Sequence, residues 1–201
     1  MKLFGLVIFY KGEDQVRQLK GVYELKSFSW YQRIQRSTVQ EFMVFTGRIL
    51  IERSPKPSRC SVKESDYICH CYVRADGLSG VVIADTEYKQ RVAFSLLSQV
   101  LDNFASCIPA NRWPLLNESQ VKYDGLREFL DRYQKPQEAD ALTRVENELE
   151  KTKVVYVDTL QALMERGEKL DDMVERSEFL SAQSKLFYQS AARMNKCCTW
   201  V

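Results

Sequence analysis

The chain has 201 residues, 45% hydrophobic and 28% charged, a composition that buries a core. The formal net charge is only +2, and no basic surface interleaved with aromatics is visible, so a nucleic-acid partner is not expected. Without a run of about 18 uncharged apolar residues, no membrane-spanning helix is expected either.

The N-terminal stretch MKLFGLVIFYKGED is apolar but short, and no small-residue cleavage site follows it. A signal peptide is therefore not expected, and Lys2 excludes N-myristoylation. The reading is of a protein that starts in the cytosol, where its six cysteines stay thiols.

Lys2 to Tyr10, rich in Leu, Val, Ile and Phe, reads as a buried strand. Lys11-Gly12-Glu13-Asp14 supplies a turn, and Gln15 to Leu25 a second strand. Ser37 with Gln40 and Thr38 with Glu41 are overlapping capping boxes that announce a helix. Its inward stripe is Val39, Phe42, Met43, Thr46, Ile49 and Leu50, with Phe45 on the flank, where partial exposure is expected. Pro55 and Pro57 close it.

Three strands follow, at Arg59 to Glu64, Tyr67 to Arg74 and Leu78 to Asp85, the last two joined by the turn signal Asp76-Gly77. Gln90 to Phe104 carries Val92, Leu96, Leu97, Val100, Leu101 and Phe104 at helical spacing. After a loop marked by Pro109 and Pro114, Val121 to Tyr133 is a shorter amphipathic helix. The order β-β-α-β-β-β-α-α predicts an α+β domain over 1–133, a five-stranded antiparallel sheet flanked by helices. Gln134-Lys135-Pro136-Gln137 then breaks the pattern as a linker over 134–137.

Cys69-His70-Cys71 invites a metal or thiol-enzyme reading. Alternation along a strand puts the two cysteines on one face and His70 on the other. Cys60 and Cys107 stand alone, so no second ligand pair has zinc spacing. Core packing of small thiols is expected, with no catalytic residue, metal or cofactor.

From 138 to 196 the pattern changes. Alternate steps of three and four residues give Leu142, Val145, Leu149, Thr152, Tyr156, Thr159, Leu163, Arg166, Leu170, Met173, Ser177, Leu180, Ser184, Phe187, Ala191 and Met194. Eleven are apolar, four are small hydroxyl residues, and one is an arginine at the centre. This is a coiled-coil seam, which needs partner helices to bury it. Arginine in a buried layer costs several kcal/mol unless acceptors from neighbouring helices meet its five donors. Without partners the segment is expected to be disordered or docked on the first domain. Its charge favours docking: 138–196 holds 12 acidic and 9 basic residues, while the remainder is net +5.

The string ERGEKLDD around Arg166 resembles the R-type SNARE motif. The preceding element order resembles the longin (profilin-like) domain, which precedes that motif in one branch of the family. MKL at Met1, YKGE at Tyr10, VQEFM at Val39, SVKE at Ser61, GVVIAD at Gly80, RVAF at Arg91, RYQ at Arg132, EAD at Glu138 and GEKLDD at Gly167 carry the likeness along the whole chain. The chain is thus similar to the lipid-anchored longin R-SNAREs, which lack a transmembrane helix.

The resemblance implies a membrane-fusion protein of ER–Golgi and endosomal transport. Arg166 would form the ionic layer of a four-helix bundle with three Q-SNARE helices. Leu142, Val145, Leu149, Tyr156, Leu163, Leu170, Met173, Leu180, Phe187 and Met194 would supply hydrophobic layers. It also implies the SNARE disassembly machinery as a partner, and a cytosolic pool in which the longin domain holds the segment closed, with Phe45 as candidate docking residue.

In the tail 197–201, Cys198 stands fourth from the end and Cys197 beside it, where the family carries a prenyl group and a second lipid. Two lipids hold a protein stably on a membrane where one holds it reversibly. The expected location is the cytosol and the cytoplasmic face of Golgi, vesicle and endosomal membranes. Trp200 and Val201 depart from the family's aliphatic ending. That departure leaves open an alternative, a regulatory longin and coiled-coil binding module that is not prenylated and does not drive fusion.

Overall fold

The computed structural model describes residues 2–25, 36–64, 67–135, 153–165 and 167–197. Strands β1 (Leu3–Lys11), β2 (Val16–Tyr23), β3 (Ser58–Glu64), β4 (Tyr67–Val73), β5 (Leu78–Asp85) and β6 (Val154–Val157) form one sheet in the order β2-β1-β5-β4-β3-β6. The first five pair antiparallel, and β6 pairs parallel with β3. Helix α1 (Arg36–Arg53) covers one face, and α2 (Gln90–Cys107) with α3 (Gly125–Tyr133) covers the other.

Burial on both faces explains the near-continuous apolar runs of the central strands. Along β1, Leu6 and Ile8 join the cluster under α2, while Phe4, Val7 and Phe9 join the cluster under α1. In β5, Val82 and Ala84 face α2, and Val81 and Ile83 face α1. Gly80 sits where α2 comes closest: a Cβ there would stand 2.8 Å from Leu97 Cδ2. The β4–β5 turn needs Gly77 at φ 86°, and Asp76 Oδ1 accepts the Leu78 N–H at 3.1 Å. At the end of α3 the Gln134 amide both accepts from Leu3 N–H, at 3.0 Å, and donates to Leu3 O, at 2.6 Å. The start of the linker is thereby fastened to β1.

The expected order of strands and helices through residue 133 is present, but the sheet is larger than expected. Its sixth strand comes from the segment read as a coiled coil. Val154, Val155, Tyr156 and Val157 are β-branched or aromatic, the residue types that suit a pleated surface. They use the outer edge of β3, with Cys60 opposite Val155 and Ser61 opposite Tyr156. Residues that fit a heptad frame are thus extended when a sheet edge is nearer than a partner helix.

Among the described residues, the rest of the segment is likewise not one continuous helix. After β6 come a 3-10 turn, Leu160–Leu163, then α4 (Leu170–Arg176) and α5 (Ala182–Cys197). Gly167, at φ 96°, bends the chain between the 3-10 turn and α4. No helix among the described residues is long and apolar enough to cross a membrane.

Candidate functional site

Helix α1 is apolar over an unusually wide arc because it is buried on two sides. Val39, Met43, Thr46, Ile49 and Leu50 point into the domain. A second stripe at helical spacing, Glu41, Phe45, Arg48 and Glu52, runs along its back. Members of that stripe, with Phe42 and Arg53 beside it, meet the returning segment.

At the N-terminal end of α1, Glu41 Oε2 accepts the Ser181 backbone N–H at 2.8 Å and the Ser184 hydroxyl at 2.7 Å. Ser181 Oγ in turn accepts the Ser184 N–H at 3.2 Å, the geometry of a cap on α5. A carboxylate thus sits against the positive end of a helix. Burial alone would push the Glu41 carboxyl up. The hydrogen bonds from Ser181 and Ser184 outweigh it and leave the pKa lowered. The sequence reading gave Glu41 to a capping box with Thr38. The helix instead starts at Arg36, and the carboxylate reaches the docked segment.

At the next residue, Phe42 packs edge-on to Phe187 and stacks on Tyr188, each with ring centroids 5.9 Å apart. Tyr188 OH donates to Asp171 Oδ1 at 2.8 Å, which ties α5 to α4. Phe42, expected in the inward stripe, does line a small cavity with Tyr67, Cys69 and Ile83 of the sheet, and its ring also meets the segment. Phe45, expected at a partly exposed flank, is 7% exposed and lies 6.5 Å from the Phe42 ring.

Farther along α1, the Arg48 guanidinium lies 3.5 Å from the centroid of the Phe179 ring and donates to Val16 O. At the C-terminal end, Arg53 holds Glu165 at 2.9 Å and Glu168 at 2.8 Å, the two acidic residues nearest Arg166. Leu160, Val174 and Leu180 complete the interface, and all three belong to the core cluster under α1.

Of the seam residues, Leu180 and Ser184 are buried, and Leu163, Leu170, Met173 and Phe187 are half-buried on the α1 side. Tyr156 stands 52% exposed on β6. Leu160 and Val174, each one residue off the seam, are more deeply buried than their seam neighbours. The broken helix therefore docks with a partly different face from the one a coiled coil would use. Leu142, Val145, Leu149, Arg166 and Cys198 lie outside the described residues, as does the side chain of Met194. Cys197 is the last residue of α5.

Sequence reasoning missed Glu41, Phe42, Arg48, Arg53, Leu160 and Val174 as docking residues. One signal was available: a helix whose apolar residues exceed a single face needs a second thing to pack on.

On the sheet, Cys69 and Cys71 fall in the cluster under α1. His70 faces α2, with Nδ1 2.8 Å from Ser61 Oγ and its ring 5.5 Å from Phe94. No group of three metal-ligating side chains occurs among the described residues.

Fold and site together define a sheet-and-helix domain that binds a segment of its own chain. The "Regulated-SNARE-like domain" model, Longin, matches residues 25–130, and the Synaptobrevin model matches 141–201. Two similar relatives are "Synaptobrevin homolog YKT6" of Yarrowia lipolytica, 40% identical over 200 residues, and its namesake in Schizosaccharomyces pombe, 40% identical over 198. A third, from Saccharomyces cerevisiae, is 36% identical over 200 residues. In each case 98% of this chain and 98% of the relative are covered. The chain belongs to the longin-type synaptobrevin homologues, R-SNAREs of vesicle trafficking that act by assembly and not as enzymes.

Proposed function

We propose that this arrangement is the closed form of the R-SNARE, and that fusion requires the segment to leave α1. In the open form 138–196 is one helix among three Q-SNARE helices. Arg166 supplies the ionic layer, and the hydrophobic layers run from Leu142 to Met194. Phe42, backed by Phe45, is the latch. After fusion, the SNARE disassembly machinery returns the chain to the closed state.

The observation that carries this is the shared use of residues. Leu163, Leu170, Met173, Leu180 and Phe187 are layer positions and also pack on the longin side. One side chain cannot fill both sites, so docking and zippering exclude each other. Lipids on Cys197 and Cys198 would tether the helix end and transmit the pull of the zipper, with ER–Golgi and endosomal membranes as the site of action.

The test is assembly of purified full-length chain with three glutamine-bearing SNARE helices. Arg166→Ala is expected to assemble with altered register or disassembly, and Phe42→Glu to assemble faster than the parent. Equal rates for parent and Phe42→Glu would remove the closed-form reading. Labelling with a prenyl analogue in cells is expected to mark Cys198, and a chain without label would favour the non-fusogenic regulatory module.

A further inference from the structure

Three buried thiols, Cys60, Cys69 and Cys71, share the α1 face of the sheet, and nothing in the docking function uses them. Two are directly opposed. In the antiparallel β3–β4 pair Cys60 stands opposite Cys71, and Cys69 stands opposite Val62. Opposed residues of such a pair have Cα atoms roughly 4.5–5.5 Å apart, within the ~4.4–6.8 Å that a disulfide spans. The Cys60 and Cys71 thiols both belong to the core cluster on the same face of the sheet, and Ser54 Oγ lies 3.5 Å from Cys60 Sγ. Cys60 also faces the docked segment, because in the β3–β6 ladder its partner is Val155.

We infer that Cys60 and Cys71 are a reversible redox site whose oxidation to a disulfide loosens the β3–β6 ladder. The oxidant is hydrogen peroxide. The Cys60 sulfur attacks one peroxide oxygen and breaks the O–O bond. The leaving oxygen takes a proton to become water, and Cys60 becomes a sulfenic acid. The Cys71 sulfur then attacks Cys60, forming the S–S bond and breaking the S–O bond. The Cys71 proton leaves with the second water. Two thiols have lost two electrons and the peroxide has gained them, and a dithiol reductant reverses the change.

The roles follow from the surroundings of each thiol. The neighbouring Cys71 thiol, working against burial and aided by Ser54, brings Cys60 down to about 7. The neighbouring Cys60 thiol and complete burial push Cys71 well up. Cys60 is thus the attacking thiol and Cys71 the resolving one.

The effect on β6 follows from spacing and rests on the closed-form reading above. Opposed Cβ atoms in a sheet are roughly 4.5–5.5 Å apart, whereas a disulfide holds them near ~3.8 Å. Closing that gap draws β3 toward β4 at Cys60, away from Val155 on the opposite edge.

The experiment treats the reduced full-length chain with hydrogen peroxide, maps disulfides under non-reducing conditions, and follows amide exchange over Val154–Val157. Cys69→Ala with Cys107→Ser, Cys197→Ser and Cys198→Ser serves as the background that removes the four competing thiols. The expected result is a Cys60–Cys71 bond in both chains, faster exchange at Val154–Val157 after oxidation, and recovery on reduction with a dithiol. Failure to form that bond, its formation between Cys60 and Cys69 in the parent, or unchanged exchange once it has formed overturns the inference. Rapid exchange at Val154–Val157 in the untreated reduced chain would instead remove the closed form, and with it the coupling; the disulfide map is read independently.

Discussion

The ring of Phe42 stacks on that of Tyr188, centroids 5.9 Å apart and planes inclined by 21°. One residue belongs to the longin domain and the other to the SNARE segment. If the segment leaves α1 to join a bundle, as proposed above, this contact is lost.

Phe42→Glu is therefore expected to open the chain without unfolding the domain. Two ring contacts at about 0.5–1.5 kcal/mol each are removed, and a carboxylate is placed near Glu41, for a total of about 2 kcal/mol, or roughly thirtyfold in the docking equilibrium. Amide exchange across Ala182–Ser190 should rise while β1 and β5 stay protected. Phe45→Glu differs, because Phe45 is 7% exposed and belongs to the core cluster. A charge buried there costs several kcal/mol and is expected to lower the melting temperature of the whole domain.

The Arg53 clamp should be weak and salt-sensitive. Its partners Glu165 and Glu168 are 74% and 38% exposed, so water and counterions screen the pair. Arg53→Glu is expected to favour the open form by under about 1 kcal/mol at low salt and by less at about 1 M. Adding Glu168→Arg should restore docking, and failure of that rescue would mean that Arg53 acts by packing alone.

Glu41 gives the docked state a pH limit. Its carboxyl is more acidic in the closed form than the usual 4.5, so the stability it lends is present above that value and fades as pH falls through the lowered one. Docking, followed by exchange over α5, should weaken in that acid range in the parent. Glu41→Gln should dock less well at neutral pH and show no acid limb of its own.

His70 sets a different window for the domain itself. Burial lowers it from 6.5 to about 4, so the fold holds it neutral while the unfolded chain takes up a proton below 6.5. Stability should fall between those two values as pH drops, by about 3 kcal/mol in all. His70→Leu should flatten urea midpoints across that range. A parent profile already flat there would contradict the buried neutral imidazole.

Much of this was legible because the central strands and α2 are patterned by a single demand, burial in the sheet. The alternation in β1 and the three-four spacing of Val92 to Phe104 could mean little else. The site was less legible where a residue answers two demands. Phe42 sits at the border of two apolar faces, and periodicity on α1 alone cannot say which one it serves. Val154 to Val157 puts Tyr156 on the heptad frame and also reads as a strand; the choice is made by the edge of β3, a partner remote in sequence. Arg53, Glu165 and Glu168 carried no signal at all, since exposed charges on separate elements look like ordinary surface.

The most direct test of the closed form is amide exchange of β3, measured on the full-length chain alone and after assembly with three Q-SNARE helices. In the chain alone, the amides of Arg59 to Val62 that face β6 should be protected. On assembly they should exchange faster, as the segment from Leu142 to Met194 gains continuous helical protection. Protection of that β3 edge that persists unchanged in the assembled bundle would mean that docking and zippering do not compete, and the account would fail.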